Sequence, residues 1–244
     1  MSDTLVVNEI YLSLQGESTF AGLPCVFVRL TACNLRCSYC DTAYAFTEGK
    51  KQSLSEVVQR IRELAAPFAQ QRAAMRLPLV EVTGGEPLLQ PNSLPLMQQL
   101  CDDGFTVLIE TSGAHDISKI DPRVRVIMDL KCPSSGEAAR NRWENIPPLK
   151  SIDEIKFVIG TVEDYEWTKQ VLAQHPLAER CTVLISWVAP LSEAQRDKSL
   201  KKVPEGQTPI SRLDLAERVI ADKLPVRFQV QMHKVIWSPD ARGV

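Results

Sequence analysis

Apolar residues along the chain follow two rhythms that take turns. Leu5 to Leu14, Val26 to Leu30, Leu79 to Val82, Phe105 to Ile109, Val124 to Leu130, Glu154 to Ile159, Thr182 to Val188 and Val226 to Val230 are short runs that read as strands. Elsewhere apolar positions recur every three or four residues. Leu54, Val57, Val58, Ile61, Leu64, Ala65 and Phe68 form one such stripe, opened by the capping box Ser53-x-x-Glu56. Pro91 to Cys101 is a second helix with Gly104 as its stop, and Val162 to Ala173 a third. Ser211-x-x-Asp214 opens a fourth, running through Val219 and Ile220. Pro133 to Pro148 holds turn formers without a period and reads as a long loop. The polar stretch Ser192 to Thr208 reads as an exposed loop or a short helix.

Strands alternating with helices predict parallel pairing through right-handed crossovers. Periodicity leaves a doubly wound sheet and a barrel open. Either fold binds ligands at the carboxyl ends of its strands, so the segments just after each strand are where chemistry is expected.

Composition narrows the class without naming a function. The chain has 244 residues, long enough for one α/β domain and too short for two ordinary ones. Apolar residues at 44% and charged residues at 24% are those of a soluble globular protein, and a formal charge of −2 gives no reason to expect nucleic acid or an anionic membrane as partner. No charged leader with an apolar core and no membrane-length apolar run is seen, so a cytoplasmic location is expected. Seven cysteines in that setting argue against a disulfide framework.

Three of those cysteines, in Cys33-Asn34-Leu35-Arg36-Cys37-Ser38-Tyr39-Cys40, have C-x3-C-x2-C spacing directly after a strand. Three thiols in eight residues rarely arise from packing, so the loop reads as a metal or cluster site. A structural zinc is normally closed by four ligands, whereas an iron–sulfur cube held by three cysteines keeps one iron open. Cys25 could be a fourth zinc ligand but lies at the far end of its strand. Cys25, Cys101 and Cys181 read as small buried hydrophobes, and Cys132 as packing or as part of a loop reaching the site.

Other post-strand segments carry polar groups. Thr83-Gly84-Gly85-Glu86-Pro87 can bring backbone close to a ligand, though glycine pairs also mark plain turns. Glu110-Thr111-Ser112-Gly113 offers a hydroxyl that could instead bond its own backbone. In Asp129-Leu130-Lys131 the cation can meet a ligand or pair with Asp129. Arg29 is a charge inside an apolar run; burial demands an anion, either a ligand carboxylate or Glu17 or Glu81.

The cysteine spacing, with Tyr39 before the last thiol, resembles the radical S-adenosylmethionine (SAM) enzymes. Leu14-Gln15-Gly16-Glu17 ahead of the Arg29 strand, Asp41-Thr42 after the cysteines, Glu110-Thr111-Ser112-Gly113 and the ending Gln231-x-His233-Lys234 resemble one branch, the 7-carboxy-7-deazaguanine synthase family. The likeness runs from residue 9 to 234, leaving Ser192 to Thr208 unmatched and the tail from Trp237 to Val244 different. It implies a single radical SAM domain over residues 1–244, an incomplete (β/α) barrel of six to seven mostly parallel strands. By the same resemblance Cys33, Cys37 and Cys40 hold a [4Fe-4S] cluster whose fourth iron S-adenosylmethionine chelates. Tyr39, Cys40, Asp41, Gly85, Glu86, Ser112, Asp129, Leu130 and Lys131 would contact that cofactor. Leu14, Gln15, Gly16, Glu17, Arg29, Thr83 and His233 would hold 6-carboxy-5,6,7,8-tetrahydropterin, with Arg29 on its carboxylate. Thr42, by residue type alone a helix cap, would ligate Mg2+; His233 by itself reads equally as structural. The implied activity is ring contraction with loss of ammonia in queuosine biosynthesis, fed by an external flavodoxin-like electron donor, in a homodimer. No side chain is assigned as acid, base or nucleophile. Two rivals stand: a glycyl-radical activase with the same cysteine loop, and a non-catalytic zinc or iron–sulfur binding module. Arg29 and Gln15-Gly16 favour a small anionic ligand.

Overall fold

The computed structural model describes residues 3–68, 76–238 and 240–244. Among them nine strands form one sheet: β1 (Thr4–Leu14), β2 (Pro24–Leu30), β3 (Lys50–Ser53), β4 (Leu79–Gly84), β5 (Val107–Thr111), β6 (Arg125–Asp129), β7 (Glu154–Ile159), β8 (Thr182–Trp187) and β9 (Arg227–Gln229). Their order is β3-β1-β2-β4-β5-β6-β7-β8-β9. From β2 onward every neighbour is parallel, as the alternating pattern predicts. The sheet is open, with β3 and β9 at its edges.

β1 departs from the parallel expectation. It runs antiparallel to both β2 and β3, placing Glu9 directly across from Arg29. The short connection from Leu14 to Pro24 explains this, since parallel neighbours need a long crossover. β3 is Lys-Lys-Gln-Ser, an edge strand without an apolar face, so hydrophobic patterning could not find it.

The helices are α1 (Leu54–Ala65), α2 (Ser93–Asp102), α3 (Val162–Gln174), α4 (Leu177–Arg180), α5 (Arg212–Ala221) and α6 (His233–Ile236). Both halves of the α1 capping box form: the Glu56 N–H donates to Ser53 Oγ, and the Ser53 N–H to Glu56 Oε2. Phe68 falls outside α1, in a 3-10 turn over Ala66–Phe68, because Pro67 cannot continue the ladder. The Pro133–Pro148 segment is a loop stiffened by three such turns. No helix among the described residues is long and apolar enough to cross a membrane.

Period two then divides the parallel strands between two layers. Val26, Val28, Val80, Val82, Ile109, Val126, Ile155 and Phe157 face the helices and form the main core with Val57, Ile61, Met97, Leu100, Tyr165 and Leu215. The alternate positions face the other way, and there the site lies.

Candidate active site

On that second face the amino-terminal halves of the strands are apolar. Cys25, Phe27, Leu79, Leu108 and Ile127, with Phe20, pack into a smaller core. Further along, the same face carries Arg29 on β2, Glu81 and Thr83 on β4, Glu110 on β5, Asp129 on β6 and Lys156 on β7. All six line a cavity of about 230 Å3 with the loops beyond them. A second hollow of about 320 Å3 adjoins it, sharing Tyr11, Arg29, Asp41, Thr42, His233 and Lys234. Together they provide the space a small ligand and a nucleoside cofactor need.

The cysteine loop is led off β2 by Ala32, which adopts the left-handed conformation with φ +78°. Its N–H donates to Ala45 O at 2.9 Å, and its carbonyl accepts from the Glu86 N–H at 2.8 Å. Gly84 has φ +150°, and a Cβ there would strike the Leu30 backbone, so the end of β4 passes directly beneath this turn. Ser38 donates from N–H and hydroxyl to the Ser135 and Ser134 carbonyls at 3.0 and 2.7 Å. The Arg36 N–H donates to Glu137 at 2.7 Å. Lys201 completes the mooring: its N–H donates to Arg36 O at 2.9 Å and its Nζ to Gly136 O at 2.7 Å. The polar stretch around Lys201 has no regular structure, but it docks onto the cysteine loop.

Cys33, Cys37 and Cys40 all reach the cavity wall, unbridged. Burial pushes the three thiols up, Cys40 to about 12, and a bound cation is what favours their thiolate forms. Among the described residues no three His, Cys, Asp or Glu side chains converge as a single metal ion would need. Three thiols opening into one cavity are the donor set a multi-iron cluster takes, each cysteine on a different iron.

Arg29 is half-buried and does carry an acidic partner, but it is Glu9, at 2.7 Å, and neither Glu17 nor Glu81. Cross-strand pairing of β1 with β2 brings these two together. Tyr11 Oη accepts a second guanidinium hydrogen at 2.7 Å, while the Tyr44 hydroxyl donates to Glu9 at 2.9 Å. These contacts engage Arg29 Nε and one terminal nitrogen; the other terminal nitrogen donates to none of the described residues.

Gln15 is buried, donating to Glu81 and accepting the Glu17 N–H at 2.6 Å. Burial, reinforced by Glu110, pushes the Glu81 carboxyl well up. Glu17 goes the other way. Burial alone would raise it, yet Lys156 at 2.7 Å brings it down to about 2, and Gln231 donates to its other oxygen at 2.7 Å. Lys131 pairs with Asp129 at 2.6 Å. Thr42 stands at the N-cap of the 3-10 turn Ala43–Phe46, but its hydroxyl donates to Asp41 at 2.9 Å rather than bonding the turn, and Asp41 also meets Lys234 at 2.5 Å. His233, its basicity lowered by burial, packs on Gly16, where a Cβ would collide with the ring.

Leu14, Gln15, Gly16, Glu17, Arg29, Tyr39, Asp41, Thr42, Thr83, Gly85, Ser112, Asp129, Lys131 and His233 join the cysteines around this cavity. Glu86 and Leu130 do not line it. Glu86 is wholly buried, accepting from Leu88 N–H, Thr111 hydroxyl, and Ser112 N–H and hydroxyl at 3.0, 2.8, 2.8 and 2.6 Å. It braces the end of β4 against the end of β5, and it takes the Ser112 hydroxyl away from its own backbone. Leu130 belongs to the helix-side core. Cys132 is fully buried beside Leu130 and Thr168 and packs. Sequence reasoning passed over Lys156, although the argument that singled out Arg29, a charge between apolar neighbours in a strand, applies equally to it.

Residues 28–134 match the radical SAM superfamily. Over 239 residues the chain is 43% identical to the 7-carboxy-7-deazaguanine synthase of Koribacter versatilis, covering 98% of this chain and 99% of that one. It is 40% identical over 243 residues to the enzyme of the same name from Chlorobaculum tepidum, with 98% and 97% covered. Its fold is similar to the crystal structure of QueE from Escherichia coli, with TM-score 0.68 and 23% identity over 94% of this chain and 95% of that one.

Proposed function

Because this chain belongs to the 7-carboxy-7-deazaguanine synthase family of the radical S-adenosylmethionine superfamily, we propose that its cavity contracts the ring of 6-carboxy-5,6,7,8-tetrahydropterin, releasing ammonia and forming 7-carboxy-7-deazaguanine. The observation that carries this reading is the opening of three cysteine thiols and a fixed guanidinium into one cavity. Cys33, Cys37 and Cys40 would hold the [4Fe-4S] cluster. When bound, cluster and S-adenosylmethionine supply the 5′-deoxyadenosyl radical that begins the reaction.

The chain's own residues bind, orient and exclude water. Backbone at Gly85, pressed against the cysteine loop, would meet the cofactor's amino group, and Tyr39 would stand on its adenine side. Ser112, Asp129 and Lys131 serve its remaining polar groups. Glu86 and Leu130 contribute through position, the first as brace and the second as packing. Arg29 presents its unbonded nitrogen to the pterin carboxylate, held in aim by Glu9 and Tyr11. Leu14, Gln15, Gly16, Glu17, Thr83 and His233 enclose the ring. Thr42 supplies an oxygen suited to Mg2+, while Asp41, its carboxylate paired with Lys234, stands among the cofactor contacts. The same reading includes a single domain over residues 1–244, a homodimer and a flavodoxin-like electron donor, which rest on the resemblance, and a cytoplasmic location, which rests on the composition of the chain.

The test is anaerobic reconstitution with iron and sulfide, followed by incubation with carboxytetrahydropterin, S-adenosylmethionine, Mg2+ and a reductant. Formation of 5′-deoxyadenosine together with the deazaguanine product is expected. Absence of both from cluster-loaded protein refutes the reading.

A further inference from the structure

Lys156 sits mid-strand between Ile155 and Phe157 with 3% of its side chain exposed. Its ammonium bonds Glu17 of the loop after β1 at 2.7 Å and Glu110 at the end of β5, with Asp129 of β6 3.6 Å away. Three donors thus face three carboxylates delivered by three separate elements. Without the cation these carboxylates would repel one another, and their side chains would lose their common orientation.

Acceptor capacity is left over in this arrangement. Glu110 gives one oxygen to Lys156; the other accepts from none of the described residues, and 29% of the side chain is open to the cavity. We propose that Lys156 is the positioning residue of the substrate pocket, holding Glu110 against Glu17 so that the free carboxylate oxygen meets the donor edge of the pterin. That edge is the lactam N–H and the exocyclic amine. This inference rests on the proposed function and adds how the pocket distinguishes a 2-amino-4-oxo ring from a carboxylated heterocycle of equal size. A wall that offers a buried acceptor rejects a ligand lacking the donor, because the acceptor is then left unpaired. The cofactor side is less dependent on Lys156, since Asp129 keeps Lys131 at 2.6 Å.

The experiment uses the full chain, reconstituted with its cluster. KM and kcat are measured for carboxytetrahydropterin and for its 2-deamino analogue in wild type, K156Q and K156R. Cleavage of S-adenosylmethionine without pterin reports on the cofactor site. K156Q is expected to raise KM for the natural substrate tenfold or more, a larger factor than any change in that cleavage. Deamination, costly in wild type, should cost under threefold in K156Q, and K156R should recover part of the discrimination. Full additivity of the two losses overturns the inference, because a packing role would weaken both substrates alike. If K156Q does not fold, E110Q decides. Its amide oxygen stays with Lys156 and its NH2 faces the ligand, so discrimination must vanish, and discrimination retained overturns the inference. Wild-type protein that cleaves S-adenosylmethionine but never turns over the pterin removes the proposed function, and this inference with it.

Discussion

Replacing Glu86 separates a brace from a ligand. Its carboxylate accepts four hydrogen bonds inside the protein and none of its surface is exposed. In E86A the Thr111 and Ser112 hydroxyls can turn to other acceptors, but the Leu88 and Ser112 backbone N–H groups cannot. A buried donor left unmade costs about 1–3 kcal/mol, so two of them cost about 4 kcal/mol. E86Q keeps one oxygen and turns an NH2 against the Ser112 N–H, costing about 2 kcal/mol. With a urea slope of about 3 kcal/mol/M for a chain of this size, the midpoint falls by about 0.7 M in E86Q and about 1.3 M in E86A. Both are measured on cluster-free protein by tryptophan fluorescence, beside calorimetric binding of S-adenosylmethionine to reconstituted protein. E86A that unfolds at the wild-type urea concentration yet binds the cofactor far more weakly would make Glu86 a ligand group and refute the bracing role.

Three further outcomes are expected. R29Q, by removing one partner of a buried charge pair with the substrate carboxylate, should lose about 3 kcal/mol of pterin binding, roughly 150-fold in KM. E9Q should reproduce part of that loss, and neither should alter S-adenosylmethionine cleavage without pterin; unchanged pterin KM in both would disprove Arg29 as the anchor. K201A removes the bonds to Gly136 and Glu137 and should make the cluster bleach several-fold faster under a chelator, at unchanged initial iron content. Equal bleaching rates would show that this stretch does not steady the cysteine loop. The pH dependence follows from Glu17, held at about 2 when folded against an ordinary 4.5. The unfolded chain therefore takes up this proton first, so the contribution is whole above about pH 5 and drains away towards pH 2. Glu81 and Glu110, both pushed up, act with the opposite sign. E17Q should flatten the fall in urea midpoint between pH 5 and 2; a wild-type slope would contradict the Lys156 clamp.

The elements that could be read in the sequence are those that bury a face. Strands β4, β7 and β8 and helices α1, α3 and α5 match the apolar rhythm closely, because one side of each meets the main core. β3 has no buried face of its own, and α4 and α6 are single turns set by the chain around them. Their signals are tertiary. The antiparallel turn of β1 was legible in principle, since the connection to β2 is too short for a crossover, and reading alternation alone misses that.

The site divides along the same line. Cys33, Gly85, Ser112 and Lys131 could be placed because each follows a strand, and sequence order alone locates the carboxyl end of a parallel sheet. The charge balance could not be placed that way. Glu17 and Lys156 are 139 positions apart, and Gln231 reaches Glu17 across 214. Each of these residues alone is an unremarkable polar side chain. Only when β1, β5, β6 and β7 come together does the cavity gain more carboxylates than cations, with burial driving two of them up and Lys156 holding a third down. A pocket charged in this way cannot be assembled one residue at a time, because an unpaired Lys156 or Glu110 in that layer would cost more than any single contact returns. Substitutions within it are therefore expected to be non-additive, and pairwise cycles between Lys156 and each carboxylate measure the coupling that single variants miss.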